Sequence, residues 1–123
     1  MSSPQVLIAE DEESLRTLIA EALTRRGVVV IQAVDGLQAS QMLQDNAGIS
    51  LLLSDVKMPR MDGYTLVEEA LEHNPELKVL LMTAYIAERP PPAALKAREI
   101  RTLTKPFDLD RLCDLVADML ARP

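Results

Sequence analysis

The chain alternates two kinds of segment, and that alternation leaves few folds open. Short apolar runs stand at Val6-Leu7-Ile8-Ala9, Val28-Val29-Val30-Ile31, Leu51-Leu52-Leu53, Val79-Leu80-Leu81-Met82 and, more weakly, Ile100 to Leu103. The first four do not alternate polar with apolar residues, so they read as strands buried on both faces. Between them run segments of helical period. Leu15, Leu18, Ile19, Ala22 and Leu23 make one apolar stripe, which Gly27 ends. Asp35-Gly36 reads as a turn before a weaker helix over Leu37 to Asn46. A third helix covers Tyr64 to Glu72 and is closed by Asn74-Pro75. Prolines 90 to 92 exclude a helix interior, so a short fourth helix is placed over Pro92 to Ala97, with proline opening it. Leu109, Leu112, Cys113, Val116, Met119 and Leu120 form the stripe of the last helix, with Asp108 as its N-cap.

Strands alternating with helices imply a parallel sheet covered on both sides by right-handed crossovers. Five such units in 123 residues suit a doubly wound, flavodoxin-like α/β fold, (βα)5 with strand order 2-1-3-4-5. The length leaves room for one domain, 1–123, and no effector domain is expected after it.

Composition narrows the function classes. Thirteen Lys and Arg against nineteen Asp and Glu give a net charge of −6, a poor field for DNA or an anionic membrane. Only Tyr64, Tyr85 and Phe107 are aromatic, too few for a base-stacking platform. No apolar run approaches the roughly 18–20 residues that span a bilayer, and Met1-Ser2-Ser3-Pro4-Gln5 does not resemble a signal peptide. The lone Cys113 forms no internal disulfide; on the core stripe it reads as a buried structural thiol. His73 falls at a helix C-terminus, where an imidazole is often without function. A cytoplasmic protein without DNA or membrane contacts is expected.

In doubly wound sheets, ligands sit beyond the carboxyl ends of the strands. Glu10 and Asp11 follow the first strand, Asp55 the third, Thr83 the fourth and Lys105 the fifth. Three carboxylates brought together repel unless a cation intervenes. A hard divalent ion suits them, and Mg²⁺ takes one or two carboxylates plus waters and a phosphate. Lys105 adds charge without competing for metal, and Thr83 adds a donor. Together they suit a phosphoryl group, with Asp55 as nucleophile. Glu12 and Glu13 read as an ordinary acidic helix start. No GxxxxGK loop, GxGxxG or Ser/His/Asp arrangement is present.

Over its whole length the chain resembles the receiver domain of two-component response regulators. The residues that carry this are Leu7-Ile8-Ala9-Glu10-Asp11-Glu12, the run from Leu53 through Asp55, Lys57, Met58-Pro59 and Met61-Asp62-Gly63, Met82-Thr83-Ala84, and Thr104-Lys105-Pro106-Phe107. The resemblance implies that Asp55 accepts a phosphoryl group from a phosphohistidine on a sensor histidine kinase or phosphotransfer protein. It implies that Asp11, Asp55 and the Lys57 carbonyl ligate Mg²⁺, with Glu10 on a metal-bound water. It further implies that Thr83 and Lys105 hold the phosphoryl oxygens, that Lys57 and Tyr85 tune hydrolysis, and that Lys105-Pro106 is cis. Such a protein is a switch, not an enzyme with an external product, although it catalyses its own phosphorylation and dephosphorylation.

Two features depart from that family. Receivers place Tyr or Phe three residues before the lysine, and here the residue is Thr102. Tyr85 is a candidate substitute for the moving ring, and its bulk predicts a long-lived acyl phosphate. The proline run stiffens or shortens the fourth helix, and a domain-swapped dimer is one consequence weighed. Output is expected through helix 4, strand 5 and helix 5, to an unknown downstream protein or as a homodimer. The alternatives are a phosphorylation-independent binding or adaptor module, and a receiver fragment of a larger regulator.

Overall fold

The computed structural model describes residues 4–84, 91–98 and 100–122. Elements β1 (Gln5–Ala9), α1 (Glu13–Arg25), β2 (Val29–Ala33), α2 (Gly36–Asp45), β3 (Ile49–Asp55), α3 (Gly63–His73), β4 (Lys78–Ala84), α4 (Ala93–Lys96), β5 (Arg101–Lys105) and α5 (Leu109–Ala121) follow in strict alternation. The strands form one parallel sheet in the order β2-β1-β3-β4-β5. The expected doubly wound (βα)5 fold is therefore the one observed.

The sheet has a core on each face, and the period of two within each strand divides residues between them. Leu7, Leu52, Val79 and Leu81 pack with Leu66, Val67 and Leu71 of α3 and Leu95 of α4. Val6, Ile8, Leu51, Leu53, Leu80 and Met82 pack with Ile19 and Leu23 of α1 and Leu112, Cys113 and Val116 of α5. Burying each large aliphatic side chain contributes about 1.5–3 kcal/mol. This two-sided packing is why β1, β3 and β4 read as unbroken apolar runs.

The second strand departs from expectation. β2 is an edge strand, and its Val29 is 45% exposed while Ile31 is half-buried. One side of its ladder has no partner strand, so its faces are only partly covered. A run of β-branched residues looks the same in sequence whether or not a neighbour covers it.

Local signals set the helix ends. Gly27 takes φ +86 just beyond α1, the left-handed geometry that ends a helix. The Asp35-Gly36 turn is the start of α2 itself: an Asp35 carboxylate oxygen accepts from the Gln38 N–H at 2.8 Å. Asp62 caps α3 by accepting from Thr65 N–H at 2.9 Å, and Asp108 caps α5 by accepting from Asp110 N–H at 2.9 Å. The fourth helix is shorter than the Pro92 to Ala97 expected, ending at Lys96. Arg26, just past α1, donates to Asp114 of α5 at 2.7 Å and ties the two helices.

Candidate functional site

The carboxyl ends of β1, β3 and β4 lie side by side, and parallel register sets what meets there. Ala9 pairs with Ser54, so Glu10 and Asp55 follow as neighbours. Asp55 pairs with Met82, so Thr83 stands one step beyond. Thr83 pairs with Thr104 and Ala84 with Lys105, which brings the lysine to the same edge. Asp55 and Lys105 are the last residues of their strands and Thr83 the last but one of β4, not the first of the loops that follow.

Glu10 is 1% exposed, and its backbone and side chain are held at several points. Its Oε2 accepts from the Glu12 N–H at 3.0 Å, and its carbonyl accepts from the Arg16 guanidinium at 2.9 Å. Its Oε1 lies 3.1 Å from Lys105 Nζ. The same ammonium donates to Asp55 Oδ2 at 2.9 Å. One cation thus bridges two carboxylates contributed by separate strands.

Burial pushes the Glu10 carboxyl above its ordinary value; the Glu12 N–H opposes the rise, the Asp55 charge adds to it, and Lys105 opposes it. For Lys105, burial favours the neutral amine, but bonds and charges from Asp55 and Glu10 outweigh it and hold the ammonium above the usual lysine value. The lysine therefore stays charged at every physiological pH.

Glu10, Asp11 and Asp55 each offer an oxygen, and these oxygens lie within 4.8 Å of one another. Asp11 is exposed, so the group opens to solvent on one side. An all-oxygen set with this charge, open to water, fits a hard divalent cation and not a soft one. Lys57, whose carbonyl the resemblance adds to the set, lies two residues past Asp55 in the loop to α3. Thr83 is half-buried, and its hydroxyl donates to the Ala84 carbonyl at 3.4 Å. The Lys105-Pro106 bond is cis, as the resemblance implied.

Thr102 is exposed on β5, paired with Leu81, and brings no ring to that face. Tyr85 and Pro90 lie outside the described residues, with the proposed ring substitution and part of the proline run. Cys113 is buried in the α1–α5 core, where burial holds its thiol above the usual value, and His73 is exposed in the last turn of α3.

Sequence reasoning placed Gly63 in the loop into α3 and Gly36 in a turn, but assigned neither of them, nor Arg60, a contact that braces the site. Gly63 begins α3 so close to Asp55 that a Cβ there would stand 2.2 Å from the Asp55 carbonyl oxygen. Gly36 stands equally close to the loop between β3 and α3, where a Cβ would meet the Met61 carbonyl oxygen at 2.1 Å. Arg60 in that loop takes φ 72, and its Nε lies 3.4 Å from Asp35 Oδ2. The Gly63 and Asp35-Gly36 signals were present in the sequence; the meeting of Arg60 with Asp35 was not.

The family model described as response regulator receiver domain matches residues 6–117. The response regulator receiver protein CpdR of Brucella abortus (strain 2308) is 35% identical over 94% of this chain and 96% of its own length. Sporulation initiation phosphotransferase F of Bacillus subtilis (strain 168) is 31% identical over 98% of this chain and 96% of its own length. Among solved structures, the Francisella response regulator 1452 receiver domain superposes with a TM-score of 0.83 at 26% identity, covering 95% of this chain and 96% of that one.

Proposed function

The chain belongs to the response regulator receiver family of two-component signalling, and on that premise we propose that it is a single-domain phosphorylation switch whose acceptor is Asp55. The observation that carries this reading is the placement of Lys105 Nζ, 2.9 Å from Asp55 and 3.1 Å from Glu10, beside the three grouped carboxylates. Two relatives are matched over 96% of their own length and the sensor kinase CckA of Brucella abortus (strain 2308) over 13% of its own, so receivers similar to this chain occur both alone and within longer proteins.

In the proposed step an Asp55 oxygen attacks the phosphorus of a phosphohistidine on a histidine kinase or phosphotransfer protein. The P–N bond breaks, the imidazole leaves with its electron pair and takes a proton from solvent, and an acyl phosphate forms on Asp55. Mg²⁺ held by Asp11, Asp55 and the Lys57 carbonyl, with Glu10 on a metal-bound water, would neutralise charge on the transferring oxygens. Lys105 releases Asp55 Oδ2 and takes a phosphoryl oxygen, and Thr83 turns its hydroxyl from Ala84 to another. Glu10 stays fixed by Glu12 and Arg16, so the lysine keeps one anchor while it moves. Hydrolysis of the acyl phosphate resets the switch, and no free product other than phosphate is made.

The output follows from the same movement. A displaced Thr83 and Lys105 pull on β4 and β5, and the surface formed by α4, β5 and α5 changes its population. Thr102 carries no ring to report that displacement, so the shift travels through backbone and Leu103 packing. The experiment is transfer of label from an autophosphorylated histidine kinase or phosphotransfer protein of the same genome. Label should reach the wild type and not Asp55→Asn; label on both proteins would remove Asp55 from the acceptor role.

A further inference from the structure

At the opposite end of the sheet from Asp55, a cavity of about 460 Å³ opens between α2 and α3. That volume lies within the range of small-molecule sites, about 300–1,000 Å³. Its floor is aliphatic, made by Leu43, Ile49, Leu66 and Leu77. Its wall carries one acid, Glu69, and one imidazole, His73, both on α3. Glu69 Oε1 accepts from the Ser40 hydroxyl and, at 3.4 Å, from the Gln44 amide, both on α2. Ser40 is 6% exposed, so this strut is set deep between the helices. Among the described residues, no lysine or arginine lines the cavity, and Glu69 forms no ion pair.

We propose that this cavity is a binding site for a small organic ammonium: an apolar body on the Leu43–Leu77 floor and a cationic nitrogen against Glu69. A half-buried carboxylate oriented by two donors, in no ion pair among the described residues and beside an apolar floor, is complementary to an ammonium and repels carboxylates. The donors hold one oxygen and leave the other for the ligand, so the anion is pre-oriented before binding. The site shares no residue with the Asp55 cluster, so its occupancy is independent of the phosphorylation reading.

The test uses benzylammonium, with benzyl alcohol and phenylacetate as neutral and anionic counterparts, in a 1H–15N NMR titration of the intact chain. Benzylammonium should shift the amides of Ser40, Gln44 and Glu69 saturably, with a Kd on the order of 1 mM for a ligand of this size. The other two probes should bind at least about tenfold more weakly. Glu69→Gln should erase that preference, and Ala47→Trp, at the exposed rim, should weaken all three probes. Equal binding by the three probes, an unchanged preference in Glu69→Gln, or shifts that do not saturate would overturn the proposal. The spectra also report whether each variant is folded, so a lost response cannot be mistaken for unfolding.

Discussion

Lys105 Nζ stands 2.9 Å from Asp55 Oδ2, across 50 positions of sequence, and the same nitrogen reaches Glu10 at 3.1 Å. The contact requires β1, β3, β4 and β5 to lie side by side in one parallel register, and it joins the proposed acceptor to a carboxylate that is buried behind it. Removing the lysine leaves both anions without their shared cation. Lys105→Met should therefore cost about 1–2 kcal/mol of stability in Mg²⁺-free buffer at neutral pH. Saturating Mg²⁺ should restore part of that loss. Urea unfolding with and without Mg²⁺ measures both; wild-type stability in the variant would mean the bridge offsets nothing.

Asp11 behaves differently because it is exposed and shares the cluster without a part in the lysine bridge. Mg²⁺ at a hundredfold excess over its Kd should stabilise the wild type by about 2.7 kcal/mol. Asp11→Asn should remove most of that gain while leaving metal-free stability unchanged or slightly higher, since one like charge is gone. Calorimetry at several Mg²⁺ concentrations decides it. A variant that retains the full metal-dependent shift would take Asp11 out of the ligand set.

Gly63 permits α3 to start against the Asp55 carbonyl. A methyl group there must push backbone, not a flexible side chain. Gly63→Ala should cost about 2–4 kcal/mol and slow phosphorylation of Asp55 in the folded fraction. A variant with native stability and native labelling would mean the loop yields freely.

How much of this was legible beforehand differs by element. β1, β3 and β4 were plain in the sequence because burial on both faces makes their central residues an unbroken apolar run. β2 carried the same Val-Val-Ile signature at an edge, where neighbours and not residues set its exposure. Glu10, Asp11, Asp55, Thr83 and Lys105 could be gathered at one edge because a parallel sheet aligns strand ends. The strut from Ser40 to Glu69, the cavity beside it and the Arg60–Asp35 pair could not, since each depends on how two helices or loops settle against each other. Substituting Val29 by Lys should cost under about 0.5 kcal/mol, whereas Leu52→Ala should cost about 2–5 kcal/mol. Similar losses at the two positions would contradict the edge assignment.

Cys113 gives a pH signature. Burial holds its thiol above the usual value in the folded chain. The unfolded thiol therefore ionises first as pH rises, the unfolded state binds fewer protons, and stability falls. This contribution is fully present below the unfolded thiol's pKa and is lost as pH climbs through the folded one. Cys113→Ala should cost stability at pH 7 through lost packing, yet show a shallower decline as pH rises above the free thiol's value of about 8.5. Parallel curves for the two proteins would show that the thiol does not titrate differently on folding.

The acceptor role of Asp55 can be read by mass. The intact chain is incubated with phosphoramidate, with and without Mg²⁺, beside Asp55→Asn, and each sample is weighed and then digested. A gain of one phosphoryl group is expected only in the wild type with Mg²⁺, located on Asp55 and lost on treatment with hydroxylamine. A phosphoryl group at another residue, or none on a folded protein shown to bind Mg²⁺, would contradict it.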